Sequence, residues 1–187
     1  MSHREQAILF AQKVLTRKPL YLDAETTGTE SFDEVVEIAV VDWDGSVMID
    51  TLVKPKRPIS AGAARVHGIT DAQVAFAPPW SEVWPQLQQL MQGREIGIYN
   101  AAFDIRLMRQ SCGLNGLPWL EPFSSHFCIM ELFAQYYGEI NPQYGSYRWK
   151  SLDFAGKFFK LPEPNSHRAR DDTLLAVSYT HLTLPTN

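Results

Sequence analysis

Residues 21–28 read YLDAETTG, a stretch with the apolar pattern of a buried strand and two acids within it. Side chains at i and i+2 of a β-strand share one face, so the carboxylates of Asp23 and Glu25 point the same way. Neighbouring carboxylates repel each other, and burying them is costly unless a cation lies between them. The stretch therefore predicts a divalent-metal site or, as the alternative, two solvated acids in a turn at the end of a strand.

The composition predicts one globular domain. The chain has 187 residues, 45% of them hydrophobic and 20% charged, which is enough for one full-sized core. Its formal net charge of −4 argues against binding nucleic acid by bulk charge alone, although metal-binding acids also lower the net charge. Cys112 and Cys128 lack the spacing of a zinc site or a disulfide framework. Because no apolar run suits a membrane span or a signal peptide, we expect a cytoplasmic protein with no membrane partner.

The order of predicted elements indicates an α/β fold. Predicted strands span residues 20–23, 34–42, 46–53 and 96–99. Predicted helices span residues 4–18, 81–92, 100–112, 127–137 and 151–159, with a last one starting near 168. The turn signal Asp44-Gly45 predicts an antiparallel hairpin between the second and third strands. A hairpin followed by strands alternating with helices predicts a mixed sheet with helices on both faces.

The last ten residues, 178–187, read SYTHLTLPTN and differ abruptly in composition from the helix before them. They resemble a tail derived from cloning rather than part of a domain. We therefore predict a single domain over residues 1–177, a non-native tail at 178–187, and a natural C-terminus that is missing. On this interpretation His181 is not a candidate ligand.

Two further acids lie where a metal site could use them, and a histidine lies close to one of them in sequence. Asp104 follows the predicted strand at 96–99 and lies at the start of a helix, where parallel sheets place active sites. Asp172 lies near the start of the last helix, and His167 lies five residues before it. Each has an ordinary alternative, because an acid at a helix N-terminus is favoured by the helix dipole and His167 also fits a plain loop histidine.

Together these motifs resemble the DEDDh branch of the DnaQ-like 3′-to-5′ exonucleases, which have an RNase H-like fold. The resemblance rests on five segments in family order: YLDAETTG, EVVEIAVV, ARVHGIT, YNAAFD and HRARDD. It extends over about residues 19–177, nearly the whole predicted domain. It implies an RNase H-like mixed β-sheet, made of an antiparallel hairpin and parallel strands and flanked by helices.

The resemblance also implies a role for each matching residue. The metal-binding carboxylates would be Asp23, Glu25, Asp104 and Asp172. They would bind two divalent cations, Mg²⁺ or Mn²⁺, and His167 would be the general base that takes a proton from the attacking water. The spacing of HRARDD selects Asp172, so we expect the adjacent Asp171 to face solvent or to pair with a nearby arginine.

Substrate contacts are expected around these acids. The candidates for contact with the terminal nucleotide are Thr26, Thr27, Gly28, His67 and Phe103. His67 has an alternative role as a cap of the following turn, and Phe103 has one as a core residue. Candidates for phosphate contacts are Arg65, Lys150, Arg168 and Arg170, although such side chains also commonly just solvate a surface.

The implied function is a metal-dependent 3′-to-5′ exonuclease that releases nucleoside 5′-monophosphates, with DNA favoured over RNA. Its partners would be single-stranded DNA or RNA 3′ ends, and a DNA polymerase subunit is a further candidate, because ARVHGIT favours the proofreading and exonuclease X-like members. An RNA-trimming or oligonucleotide-degrading enzyme of the same branch remains an alternative. A non-catalytic nucleic-acid-binding module is another, but it predicts loss of a metal ligand or of the histidine, and all five are present. The oligomeric state is not predicted.

Overall fold

Five strands form one mixed sheet in a computed structural model that describes residues 1–162 and 166–182. They are β1 (Leu20–Thr26), β2 (Val35–Val41), β3 (Val47–Leu52), β4 (Glu95–Ile98) and β5 (Ser125–Cys128). The order across the sheet is β3-β2-β1-β4-β5. β2 pairs antiparallel with both β1 and β3, whereas β4 pairs parallel with both β1 and β5. The predicted hairpin and the predicted mixed sheet are both confirmed.

Helices cover both faces of this sheet. They are α1 (His3–Thr16), α2 (Ala61–His67), α3 (Asp71–Val74), α4 (Trp80–Met91), α5 (Ala101–Leu114), α6 (Ile129–Tyr137), α7 (Leu152–Phe159) and α8 (Ala169–Leu182). Side chains of α4 and α5 pack against one face, and those of α1, α6, α7 and α8 pack against the other. In the part of the chain that the structure describes, none of these helices is both long and apolar enough to cross a membrane.

The two faces of β1 have different neighbours. Leu22 and Ala24 belong to the core beneath α4 and α5, whereas Tyr21 packs on the face covered by α8. Alternation along the strand therefore puts Asp23 and Glu25 on the α8 face, as the sequence predicts. The strand continues three residues beyond its predicted end at position 23, because its last residues also pair with β2. The two acids consequently lie within a strand, not in a turn.

The prediction of one helix over residues 127–137 is wrong at its start. Ser125–Cys128 is the fifth strand, and α6 begins only at Ile129. The ring of Phe127 lies directly over Gly97 of β4, where a Cβ atom would be only 2.5 Å from the ring. A strand of four residues is too short to show a periodic pattern in the sequence. The contact with Gly97, a residue distant in sequence, is what places Phe127 in the sheet.

The last helix extends past the predicted domain boundary at 177. It continues to Leu182, and the hydroxyl of Thr180 donates a hydrogen bond of 2.9 Å to the carbonyl of Ala176. Nε2 of His181 lies 2.8 Å from the carbonyl oxygen of Trp43. The rest of the predicted tail, 183–187, lies outside the described residues. The boundary and the foreign origin of the tail stay predictions.

Candidate active site

The four acids singled out in the sequence line one cavity of about 330 Å³, hereafter the carboxylate cavity. Asp23 and Glu25 enter it from β1, and Asp172 enters it from the first turn of α8. One carboxylate oxygen from each of these three lies within 4.8 Å of the other two. Asp104, in the first turn of α5, accepts a hydrogen bond of 3.1 Å from the backbone N–H of Ala24. Three elements distant in sequence thus bring four carboxylates together.

Burial raises the pKa of every one of these acids, and repulsion by the other carboxylates of the cluster adds to the rise for Asp23 and Glu25. Burial, followed by the charges of Asp104 and Glu25, raises the pKa of Asp23 well above its ordinary value. Burial and then the charge of Asp172 raise the pKa of Glu25 to about 8. Burial raises the pKa of Asp104 to about 8 and that of Asp172 to about 6. Ionising the cluster is therefore unfavourable without a compensating positive charge.

This donor set fits a divalent cation. Carboxylate oxygens are the hard ligands that Mg²⁺ and Mn²⁺ prefer, and three of them lie close enough to contact a single ion. A cation would also stabilise the ionised forms that burial disfavours. The residues present therefore suit the metal chemistry that the sequence implies.

Because these pKa values are raised, stability of the metal-free protein is expected to fall with increasing pH. A carboxyl group with a higher pKa in the folded chain stabilises the fold below its unfolded pKa and loses that contribution as pH rises through its folded pKa. Glu25 and Asp104 have folded pKa values of about 8, and unfolded acids titrate near 4. The free energy of unfolding in EDTA should thus fall by about 2 kcal/mol or more between pH 4 and pH 8.

Thermal and urea melts at several pH values, with EDTA or with Mn²⁺, measure this effect. Mn²⁺ should raise the melting temperature more at pH 8 than at pH 5, because only the ionised acids bind it strongly. Asp104→Asn should flatten the pH dependence in EDTA, whereas the matched change Asp171→Asn, outside the cluster, should not. A flat profile for the unaltered chain in EDTA would contradict the raised pKa values.

His167 lines the same cavity from the loop before α8. Its side chain is exposed and its backbone is left-handed, with φ of 52°. Such a conformation is uncommon for a residue with a side chain, and it persists only where the surroundings impose it. The neighbouring Ser166 supplies part of that constraint. Its backbone N–H donates to Oδ1 of Asp172 at 3.1 Å, and its hydroxyl donates to Asp171 at 2.8 Å.

Glu37 of β2 holds the other side of this loop, a role that the sequence interpretation missed. It is only 2% exposed and lies directly opposite Glu25 in the β1–β2 pairing. Its two carboxylate oxygens both accept from Nε of Arg168 at 3.1 Å, and one of them also accepts from the backbone N–H of Ala169 at 2.9 Å. The sequence feature that could have revealed this role is a charged residue inside an otherwise apolar strand, because a buried charge requires a partner.

This ion pair changes the interpretation of the predicted phosphate contacts. The guanidinium of Arg168 is bound to Glu37, and Lys150 pairs with Glu139. Arg170 lies 3.8 Å from Asp50 and 3.4 Å from Asp171, which fulfils the expectation that Asp171 pairs with an arginine. Arg65, the fourth predicted contact, is exposed.

A second and mostly apolar cavity of about 550 Å³ adjoins the carboxylate cavity. The two share Ala24, Glu25 and Phe103. The apolar cavity is also lined by Thr26, Gly28, Phe32, Ala63, Val66 and His67. The ring of Phe103 is partly buried against the main core, so this side chain is both a core residue and a wall of the two cavities. The apolar cavity has the size and character to accept a nucleobase beside the acids.

The ring of His67 is locked by two hydrogen bonds. Its Nδ1 accepts from the backbone N–H of Ile69 at 3.0 Å, so the proton lies on Nε2, which donates to the carbonyl of Thr26 at 3.1 Å. Burial, the largest effect, lowers the pKa of His67 and favours this neutral form. His67 therefore caps the turn after α2, positions the end of β1 and lines the apolar cavity at once.

Thr27 and Gly28 have mainly internal partners. The hydroxyl of Thr27 is buried, donates to Asp33 at 2.7 Å and accepts from the backbone N–H of Glu34 at 3.0 Å. A Cβ atom on Gly28 would lie 2.5 Å from a carboxylate oxygen of Asp33. The glycine thus allows Asp33 to approach the backbone, and the resulting network shapes the rim of the apolar cavity.

The mixed sheet and its flanking helices define a protein of the RNase H-like fold class, and comparison with known proteins gives the family. The model of the RNase_T exonuclease family matches residues 20–179, so the chain belongs to that family of hydrolytic exonucleases. An uncharacterized exonuclease, CP81, of Escherichia phage 186 is 38% identical over 174 residues, covering 89% of this chain and 88% of the phage protein. The DNA polymerase III epsilon subunit of Pasteurella multocida is 35% identical over 101 residues, covering 49% of this chain and 40% of that subunit.

Solved structures of exonucleases are also similar to this chain. Exonuclease X in complex with 5′-overhanging duplex DNA has a TM-score of 0.62 at 29% identity, covering 87% of this chain and 89% of that chain. Exonuclease I of E. coli in complex with a dA16 oligonucleotide has a TM-score of 0.69 and covers 86% of this chain, but 39% of that chain. Its 19% identity supports a common fold only.

Proposed function

We propose that this chain is a metal-dependent 3′-to-5′ exonuclease that removes nucleoside 5′-monophosphates from single-stranded DNA. The observation that supports it most is the convergence of Asp23, Glu25 and Asp172 with His167 in one cavity, beside a second cavity of nucleobase size. The preference for DNA rests on the polymerase epsilon relatives and on the DNA complex of exonuclease X. A polymerase subunit as partner is supported by the epsilon relatives, and the chain spans less than half of the Pasteurella multocida epsilon subunit.

Each group would have a definite task. Asp23, Glu25 and Asp172 would hold one divalent cation, and Asp104, whose charge acts on Asp23, would help to hold a second. When bound, such ions polarise the phosphate and make water a better nucleophile. His167 would accept the proton of the water that attacks phosphorus, while the bond from phosphorus to the 3′ oxygen of the penultimate nucleotide breaks.

The apolar cavity would hold the terminal nucleoside. Val66 and Ala63 of α2 and the ring of Phe103 provide apolar surface for a base. Because Phe103 and Glu25 border both cavities, a base in the apolar cavity would have its 5′ phosphate near the acids. This placement would fix which bond is cut and would orient it for attack.

Digestion of 5′-labelled single-stranded DNA and matched RNA, with Mg²⁺ or with EDTA, tests the proposal. We expect a ladder that shortens from the 3′ end one nucleotide at a time in Mg²⁺ and no cleavage in EDTA. Asp172→Asn should abolish the ladder, whereas Asp171→Asn, a change of the adjacent acid of α8, should retain it. Folded, metal-loaded protein that leaves both strands intact would overturn the exonuclease proposal, and faster digestion of RNA would overturn the DNA preference.

The Glu37–Arg168 ion pair is expected to position His167. Arg168→Lys keeps the positive charge but loses the two-point contact with Glu37, and Glu37→Gln removes the charge of its partner. Each should lower kcat by about tenfold or more, because small displacements of a catalytic group are costly. KM should change little, and the double variant should be about as active as either single one, because both changes disrupt one interaction.

Steady-state kinetics at several salt concentrations separate this role from a phosphate contact. If Arg168 bound phosphate directly, Arg168→Lys would chiefly raise KM and weaken its dependence on salt, while Glu37→Gln would not. That pattern, or additive losses in the double variant, would show that the pair does not position His167.

A further inference from the structure

Residues 139–150, hereafter the 139–150 loop, form an ordered hairpin next to the carboxylate cavity. Ile140 and Tyr147 are paired as an antiparallel bridge, and the backbone N–H of Arg148 donates to the carbonyl of Glu139 at 2.8 Å. The end of the loop is joined to the residue that follows β4, because the hydroxyl of Tyr99 donates to the carbonyl of Lys150 at 2.9 Å. The loop therefore has a defined shape and a defined position.

Two large aromatic side chains of this loop are exposed. Tyr144 is 71% exposed and Trp149 is 63% exposed. Tryptophan is usually among the more buried residues, and exposed aromatic groups near a functional site commonly mark a contact surface. Exposed aromatic rings beside cations are the feature by which proteins bind single-stranded nucleic acid without sequence preference.

The charge of the loop agrees with a polyanionic ligand. It contains two basic residues, Arg148 and Lys150, and one acid, Glu139, so its net charge is +1. The net charge of the whole chain is −4. Glu139 pairs with both cations, at 3.1 Å from Arg148. The ammonium group of Lys150 also lies 4.9 Å from the centre of the Tyr137 ring. These contacts hold both cations within the same loop as the two exposed rings.

The position of the loop indicates which part of a strand it would contact. Trp149 directly precedes residues 150–152, which line the carboxylate cavity. The apolar cavity, in contrast, is bordered by residues 60–67 and 24–33. A strand with its terminal base in the apolar cavity and its scissile phosphate at the acids must continue beyond the carboxylate cavity.

We infer that the 139–150 loop binds the single strand behind the scissile phosphate, with Tyr144 and Trp149 stacking on bases upstream of the 3′ terminus. This inference rests on the proposed exonuclease function for its substrate. It predicts that affinity depends on substrate length, because a dinucleotide has one base behind the scissile phosphate and a longer strand has several that can stack on the loop.

Fluorescence anisotropy with 5′-labelled oligothymidylates of two and twelve nucleotides tests this inference. The protein is the full chain with Asp172→Asn, in Mg²⁺, so that the strand is not digested. Adding Tyr144→Ala and Trp149→Ala should weaken binding of the 12-mer by about tenfold or more, the loss expected for one or two base stacks. Binding of the dinucleotide should weaken by a clearly smaller factor. Phe76→Ala, which changes a fully exposed aromatic residue outside the loop, is the control.

A conservative change separates stacking from damage to the loop. Trp149→Phe keeps an aromatic ring and should recover most of the affinity for the 12-mer. Equal losses for both lengths, or no loss for either, would overturn the inference. The inference would also be overturned if the two substitutions changed the sedimentation of the protein but not the dependence of affinity on oligonucleotide length. That result would indicate that the loop forms a contact between protein chains. The digestion assay is a separate readout, so failure of the proposed function there is distinguishable from failure of the loop to bind the strand.

Discussion

Asp23→Asn is expected to reduce exonuclease activity by about a thousandfold or more. Asp23 is central to the acidic cluster, since burial and then the charges of Asp104, Glu25 and Asp172 raise its pKa. An amide cannot replace the charge of a metal-binding carboxylate, and metal ions contribute several kcal/mol to stabilising such transition states. Each 1.36 kcal/mol corresponds to tenfold in rate.

The same substitution should stabilise the metal-free protein. An amide of nearly the same shape removes one member of a group of buried acids whose ionisation is unfavourable. At pH 8 in EDTA we therefore expect a higher melting temperature for Asp23→Asn, by about 2 to 4 °C for each kcal/mol gained. At pH 5 the difference should shrink, because the unaltered acids are then largely protonated.

Activity assays combined with calorimetry in EDTA measure both effects. Lower stability of Asp23→Asn at pH 8 would show that Asp23 has a structural role. The loss of activity could then not be attributed to the loss of a metal ligand. Residual activity close to that of the unaltered chain would exclude Asp23 as a metal ligand. Asp171→Asn is the control for an acid outside the cluster.

His167→Ala is expected to lower kcat by about 10²- to 10⁴-fold, the usual contribution of a general base. His167 is exposed and lines the carboxylate cavity from a loop that other residues hold in place. Removing its ring should therefore change neither the fold nor metal binding appreciably. KM should also change little, because the loss falls on proton transfer rather than on substrate binding.

His126→Ala provides a matched control, since His126 is an exposed histidine on β5 that lies outside the carboxylate cavity lining. Single-turnover digestion of labelled DNA at saturating protein isolates the chemical step. A loss smaller than about threefold for His167→Ala would exclude general-base catalysis by this residue. A loss of Mn²⁺-dependent stabilisation would indicate instead that His167 contributes to metal binding.

The sequence predicted the features that depend on local pattern. Alternation along β1 puts Asp23 and Glu25 on one face whatever packs above them, and the Asp44-Gly45 turn alone indicated the hairpin of β2 and β3. The motif HRARDD distinguished Asp172 from Asp171, and the structure places Asp171 against Ser166 and Arg170. These properties follow from neighbours within a few residues.

The tertiary structure decided which residues are free to act. In the sequence, Arg168 resembles a surface arginine that is available for phosphate. In the structure it is bound by Glu37, which lies 131 positions away. Thr27 resembles a substrate contact until its hydroxyl is seen to bind Asp33, and Phe127 resembles a helical residue until its ring is seen over Gly97. Sequence pattern determined what chemistry each side chain offers and which face it occupies. Only contacts between distant segments determined whether that chemistry is used within the protein or remains available to a ligand, because such pairings leave no local period in the chain.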